Sequence, residues 1–314
     1  MIEFRNVSKR YGTIRALDSV SFTVERGEVF GYIGPNGAGK TTSIKILTGL
    51  VRDYEGTVLV EGRPVEEERD SFHARVGYLP QNAGFQEWRT VRHALETFGR
   101  LSGLEAPRLR ERISSVTARL GLTDHLDRRI VHLSGGMQQR LRFAQAILHE
   151  PQIIILDEPL SGLDPSSRAE LKRTIRELSG EGCTIMFSSH VLSDVEDLAS
   201  RIVILDRGRI RTAGTREELH DRHGLGTLID VQGPGVAAGL ADATSLVQVD
   251  AVEPAERQNG DGALVRIASG VSVDDAMQAV LRYVVDRGLA VRSIRHLYPT
   301  LEEVYLSLTE AAHE

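Results

Sequence analysis

One stretch dictates a strand, a tight loop and a helix in immediate succession: Gly34-Pro35-Asn36-Gly37-Ala38-Gly39-Lys40-Thr41-Thr42. Its spacing fits G-x-x-x-x-G-K-[ST], and each fixed position has a physical task. Glycines let the backbone curl so that successive N–H groups point inward at phosphate oxygens. Lys40 brings a point charge to the outer phosphates, and the Thr41 hydroxyl is suited to ligate Mg²⁺. The helix starting near Gly39 adds open N–H donors and the positive end of its dipole. Val29-Phe30-Gly31-Tyr32-Ile33 reads as the strand before, and Ile44, Ile46 and Leu47 give the helix after it apolar residues. A glycine-rich turn with a solvated lysine is the plain alternative, and this flanking pattern disfavours it.

At 314 residues the chain has material for one large domain and a smaller one, or for two of moderate size. Its 38 basic and 44 acidic residues give a net charge of −6, and no basic stripe is present, so no nucleic-acid partner is expected. No apolar run approaches the roughly 20 residues that span a bilayer, and Met1-Ile2-Glu3-Phe4-Arg5 lacks a signal-peptide core. The chain is therefore expected to stay in the cytoplasm. Cys183, the only cysteine, opens the apolar run Thr184 to Phe187 and reads as an inert buried thiol.

Ahead of the loop, Ile2 to Val7 and Leu17 to Val24 read as strands, interrupted by a turn at Lys9-Arg10-Tyr11-Gly12. Tyr11 there is either a packing residue or a ring on which an adenine stacks. After the loop helix, Gly56 to Val60 and Val76 to Leu79 read as strands. The second is stopped by Pro80, leaving the Gln81 carbonyl at a strand end, where it is suited to a metal. From Thr90 the period turns helical: Val91, Ala94, Leu95, Phe98 and Leu101 share one face, and Leu109, Ile113, Val116 and Leu120 another. Gly103 and Pro107 break the two. Phe85 and Trp88 are either core anchors of this helical insert or an exposed contact for a partner.

Leu133-Ser134-Gly135-Gly136-Met137-Gln138 is a second small-residue turn entering a helix, hence a serine cap and a second anion site. Ile153 to Leu156 is the continuous apolar run of a parallel strand covered on both faces, and it ends in Asp157-Glu158. Two carboxylates at the end of a buried strand are costly unless a cation or a reaction uses them, which points to Mg²⁺ coordination and general-base work. Ser161 to Pro165 turns into another helix. The run Thr184 to Phe187 ends in Ser188-Ser189-His190, and a hairpin closes around Asp206-Arg207-Gly208.

In kind and in order, these pieces over about residues 1 to 220 make the chain resemble the ATP-binding subunit of ABC transporters. One departure is Met137, where the wider family usually has glutamine in its signature. The resemblance implies a P-loop NTPase fold of the ABC ATPase type. That fold is α/β, a mixed core sheet with an N-terminal antiparallel β subdomain and a helical insert at about residues 86–150. It implies a head-to-tail homodimer, with ATP between the phosphate loop of one copy and the signature of the other. Tyr11 would stack on adenine, and Lys40 with the loop backbone would hold the phosphates. Thr41, Gln81 and Asp157 would bind Mg²⁺ directly or through water, Glu158 would act on the attacking water, and His190 would contact the γ-phosphate. Ser134, Gly135, Gly136 and Asp164 would serve the opposite copy's ATP. A separate transmembrane permease would dock near Gln81 to Trp88 and hold the subunit at the inner face of the membrane.

Past Leu219, Gly224, Gly226, Gly233, Pro234, Gly235 and Gly239 punctuate the chain, so residues 221–314 read as an accessory α+β domain. Strands at Thr227 to Val231, Leu246 to Val249, Ala263 to Ile267 and Ala290 to Ile294, with helices near Val236 and from Val273, give β-α-β-β-α-β. That order fits a ferredoxin-like unit. The ending Tyr298 to Thr309 resembles the tail of ABC-2-type exporter ATPases. Two other functions compete: an ATP-dependent clamp on nucleic acid or ribosomes, and a non-hydrolysing regulatory module. The single cassette and the charge balance weigh against the clamp, and Glu158 with His190 against the regulatory module.

Overall fold

A computed structural model describes every residue except 68, 83, 223–226, 258, 259, 269, 298, 299 and 311–314. Gly224, Gly226, Tyr298 and Pro299, part of the linker and tail readings, lie outside the described residues. The chain divides into two compact units, Met1–Thr215 and Arg216–Glu314.

In chain order the first unit holds β1 (Ile2–Tyr11), β2 (Ile14–Val24), β3 (Val29–Ile33), α1 (Lys40–Leu47), β4 (Glu55–Val60), β5 (Arg63–Pro64), α2 (Arg69–Arg75) and β6 (Val76–Leu79). It continues with α3 (Val91–Leu101), α4 (Ala106–Arg119), α5 (Gly135–Ile147), β7 (Ile153–Leu156), α6 (Pro165–Gly180), β8 (Thr184–Ser189), α7 (Leu192–Leu198), β9 (Arg201–Asp206) and β10 (Arg209–Gly214). Two sheets form: an antiparallel one in the order β2-β1-β4-β5, and a mixed one in the order β10-β9-β3-β8-β7-β6. Strands β9, β3, β8, β7 and β6 run parallel, so their carboxyl ends meet at one edge, where ligands of open α/β sheets bind. The two sheets share a core in which Phe4 stacks on Phe22 at 4.4 Å and Phe22 on Phe30 at 5.3 Å, with Ile44, Ile46 and Leu47 of α1 buried beside them. These apolar contacts fix α1, and with it the loop ahead of it, against both sheets.

Local expectations meet the structure with two differences. Strand β1 continues through Tyr11, which pairs with Ile14, so the turn is Gly12-Thr13 and the Lys9-to-Gly12 turn is corrected. Pro107 does not break the insert: it sits in the first turn of α4, where its missing N–H has no intrahelical partner to lose. Helices α3 and α4 pack so closely that a Cβ on Gly99 would lie 2.2 Å from Leu109 Cδ1. Met137 is half-buried on α5, while Leu141, Ala144 and Leu148 are buried.

The second unit contains α8 (Arg216–Arg222), β11 (Leu228–Gln232), α9 (Val236–Leu240), β12 (Val249–Arg257), β13 (Gly260–Ile267), α10 (Val273–Asp286), β14 (Ser293–Leu297) and α11 (Leu301–Glu310). Its antiparallel sheet has the order β12-β13-β11-β14, and α9 and α10 bury Val236, Leu240, Ala276, Val280 and Val284 in its core. The second strand begins at Val249 rather than Leu246, and runs through Pro254. That proline is tolerated because β12 is an edge strand with one side of its ladder open. The last strand lies three residues beyond its expected place, set by the pairing of Leu228 with Leu297.

Candidate functional site

The loop between β3 and α1 makes a tight passage over the core. Gly39 has φ 111°, and a Cβ there would lie 2.5 Å from the Ala16 carbonyl oxygen, so only glycine fits. The Ala38 N–H is turned inward onto Pro35 O at 3.1 Å, so within the expected cradle this one donor is engaged by the loop itself. Lys40 is 5 % exposed, and its Nζ donates to Gly34 O at 2.7 Å and Pro35 O at 3.2 Å. The same ammonium lies 3.5 Å from Glu158 Oε1, across the sheet edge from α1 to the end of β7.

Asp157 is buried to 1 %, and its Oδ1 accepts hydroxyl bonds from Ser188 at 2.7 Å and Thr41 at 3.3 Å. Burial raises its pKa above the ordinary 3.8, the two hydroxyls pull it back, the Glu158 charge raises it, and Lys40 lowers it. Its Oδ2 is buried with no hydrogen-bond partner. Tyr78, two strands' width from β8 on β6, has its phenol pushed up to about 12 by burial and then by the Asp157 charge, so it stays neutral. Glu158 follows in left-handed backbone at φ 53°, and its Oε2 accepts from His190 Nδ1 at 2.5 Å.

A cleft of about 430 Å³ opens above these groups. Of the residues singled out in the sequence it is lined by Asn36, Gly37, Ala38, Gly39, Lys40, Thr41, Thr42, Gln81 and Glu158, and also by Ile14, Arg15, Ala16 and Arg207, while Gly34, Pro35, Asp157 and His190 are not among its lining residues. Tyr11 is 46 % exposed at the end of β1, with Lys9 Nζ 5.0 Å from its ring centroid, and is not among the cleft's lining residues. Arg207 was not singled out in the sequence. It reaches the cleft because the hairpin tip is tied to the loop, with Gly208 N donating to Ala38 O at 2.9 Å and Asp18 N to Gly208 O at 2.8 Å.

The second turn stands apart from this cleft. Ser134 Oγ accepts from Met137 N at 3.2 Å as the cap of α5, and Asp164 Oδ1 accepts from Ser166 N and Ser167 N at 3.1 and 3.0 Å as the cap of α6. These bonds hold the Asp164 carboxyl below its usual range. A Cβ on Gly136 would lie 2.4 Å from Ser167 Oγ, so the two turns press together. None of Ser134, Gly135, Gly136 and Asp164 is among the residues lining the cleft.

A family model described as ABC transporter matches residues 17–161. The chain is 37% identical over 303 residues to a daunorubicin resistance ATP-binding protein, DrrA3, of Streptomyces coeruleorubidus, covering 96% of this chain and 93% of that one. This chain belongs to the ABC transporter ATP-binding family. It is also 31% identical over 310 residues to the linearmycin resistance ATP-binding protein LnrL of Bacillus subtilis (strain 168), covering 98% of each. Among solved structures, an ATP-binding subunit of an ABC transporter superposes with a TM-score of 0.66 at 30% identity, over 72% of this chain and 94% of that one. The fold is that of an ABC ATPase, and the chain is an ATP-binding subunit and an ATPase of this family.

The residues present fit a magnesium ion. Among the described residues no group of three or more His, Cys, Asp and Glu could enclose a metal. Mg²⁺ uses such cages little, taking one or two carboxylates with the rest of its shell from phosphate and water. The buried, unpartnered Asp157 Oδ2 beside the Thr41 hydroxyl is a donor pair of that kind.

Proposed function

We propose that this chain hydrolyses ATP to drive a separate transmembrane permease in export, as one half of a head-to-tail pair of copies. The observation that carries the reading is the separation of two phosphate-suited turns: the cleft gathers Lys40, Thr41, Gln81 and Glu158 but not Ser134 to Gly136. A second copy supplying that turn completes the site. Lys40 contacts the loop carbonyls and Glu158, and phosphates in the cleft would offer the same ammonium their own oxygens. Thr41, Asp157 and Gln81 would hold Mg²⁺, which when bound would neutralise charge on the phosphate oxygens. Glu158, freed of Lys40 by the phosphates, orients or deprotonates water, and His190 steadies its carboxylate and contacts the γ-phosphate. Adenine lies on the side of the cleft toward Ile14 and Tyr11.

Export is supported by relatives named for resistance to daunorubicin and to linearmycin. Among the described residues no helix is long and apolar enough to cross a membrane. The family supports the reading that the subunit sits at the inner membrane face by holding the permease. Residues 221–314 serve as an accessory domain of the ferredoxin-like kind, which the sheet order β12-β13-β11-β14 supports.

The Glu158→Gln variant tests the reading. It is expected to bind ATP as the parent does, to lose turnover by about a hundredfold or more, and to accumulate as an ATP-bound pair in sedimentation velocity. Normal turnover would remove Glu158 from the water-activating role.

A further inference from the structure

Ser188 is fully buried near the end of β8, and its one hydroxyl makes two bonds. It donates to Asp157 Oδ1 at 2.7 Å and accepts from the Glu158 N–H at 2.9 Å. A serine hydroxyl has one proton, so giving it to the carboxylate turns the oxygen lone pairs to the amide, and both bonds select one rotamer. The contact exists because β7 and β8 are parallel neighbours, with Leu156 beside Phe187.

Glu158 needs such a hold. Its φ of 53° lies in the left-handed region, which residues with side chains seldom adopt and which persists where the surroundings fix it. Ser188 takes its main-chain amide, and His190, two residues further along, takes its side chain. Without the Ser188 hydroxyl, Asp157 Oδ1 keeps only the longer bond from Thr41, and the Glu158 N–H loses its acceptor.

We infer that Ser188 is a positioning residue for ATP hydrolysis, one hydroxyl setting the Asp157 carboxylate toward the cation and the Glu158 peptide toward the attacking water. The inference rests on the roles proposed above for Asp157 and Glu158, and assigns a part to a residue outside the phosphate loop, signature turn and switch histidine.

The test uses the full chain with Ser188→Ala, Ser188→Cys and Ser188→Thr beside Glu158→Gln. In Ser188→Ala and in Ser188→Cys, a near match in volume but a poor donor, kcat is expected to fall about 10–100-fold. The affinity for Mn²⁺ in the presence of ADP, followed by electron paramagnetic resonance, should fall by a similar factor. Metal-free ATP affinity should stay at its parental value, the thermal midpoint should fall by no more than the few degrees that one lost buried hydrogen bond costs, and amide hydrogen exchange at Glu158 should quicken. Ser188→Thr, which restores the hydroxyl, should recover most of both losses. If Ser188→Ala or Ser188→Cys keeps parental kcat and Mn²⁺ affinity while Glu158→Gln is inactive, the Ser188 inference alone is overturned. Equal impairment of all three Ser188 variants with a lowered thermal midpoint overturns it in favour of simple packing. Turnover in Glu158→Gln overturns the reading beneath it.

Discussion

Asp157 is kept where a carboxylate is least welcome. Its pKa is raised, first by burial, so between the ordinary 3.8 and that higher value the folded chain holds a proton that the unfolded chain has released. Stability therefore falls as pH rises through that window, and the full cost remains at neutral pH when no cation offsets it. Asp157→Asn removes the titration. The nucleotide-free variant is expected to melt higher at neutral pH, by about 2–4 °C for each kcal/mol relieved, and to lose the fall in thermal midpoint across the acidic window. Its magnesium-dependent turnover should be lost as well. A variant that melts lower than the parent at pH 7 would mean that Asp157 is held at no cost. At this scale the sequence was legible wherever a residue's task depends on its own neighbours in the chain. Lys40 follows from its loop, and Asp157-Glu158 from the apolar strand before them. Ser188 and Arg207 were not, because what they touch is decided by which strands lie side by side and where a hairpin tip comes down.

Among the elements, the helical insert resolves an ambiguity that residue type left open. Phe85 is half-buried and meets Phe98 of α3 edge-on at 5.8 Å between centroids, whereas Trp88 is 63 % exposed with the Arg89 guanidinium 5.1 Å from its ring. Both aromatics precede α3 by a few residues, and periodicity assigns faces only within a helix, so the pattern could not separate them. Burial does. Phe85→Ala is expected to lower stability by about 1–3 kcal/mol, read as a drop in thermal midpoint. Trp88→Ala should stay within about 0.5 kcal/mol of the parent, keep its basal ATPase, and lose binding to permease-containing membranes. Basal ATPase and membrane binding falling together in Trp88→Ala would remove that side chain from the docking surface. The β12 strand gives the opposite lesson: it runs past the Leu246 to Val249 expected for it and through Pro254, which its place at the sheet edge makes acceptable.

For the whole molecule, the decisive proposal is that one chain carries two half-sites serving different ATP molecules. Lys40 lines the cleft while Ser134 caps α5 away from it, so damage to one need not damage the other. Lys40→Ala alone empties both phosphate loops of a pair, and Ser134→Arg alone blocks both signature turns, so each homodimer should be inactive. A pair formed from one copy of each variant gathers both defects into a single site. Its other site combines an intact loop with an intact signature turn. Random mixing makes about half of all pairs mixed, each with one of two sites whole, so hydrolysis should return to about a quarter of the parental rate. That recovery, measured as phosphate release after mixing two inactive proteins, has no source if each chain completes its own site. Its absence, with mixed pairs present by sedimentation, would place the whole reaction within one chain and leave the second anion-suited turn as a helix cap alone.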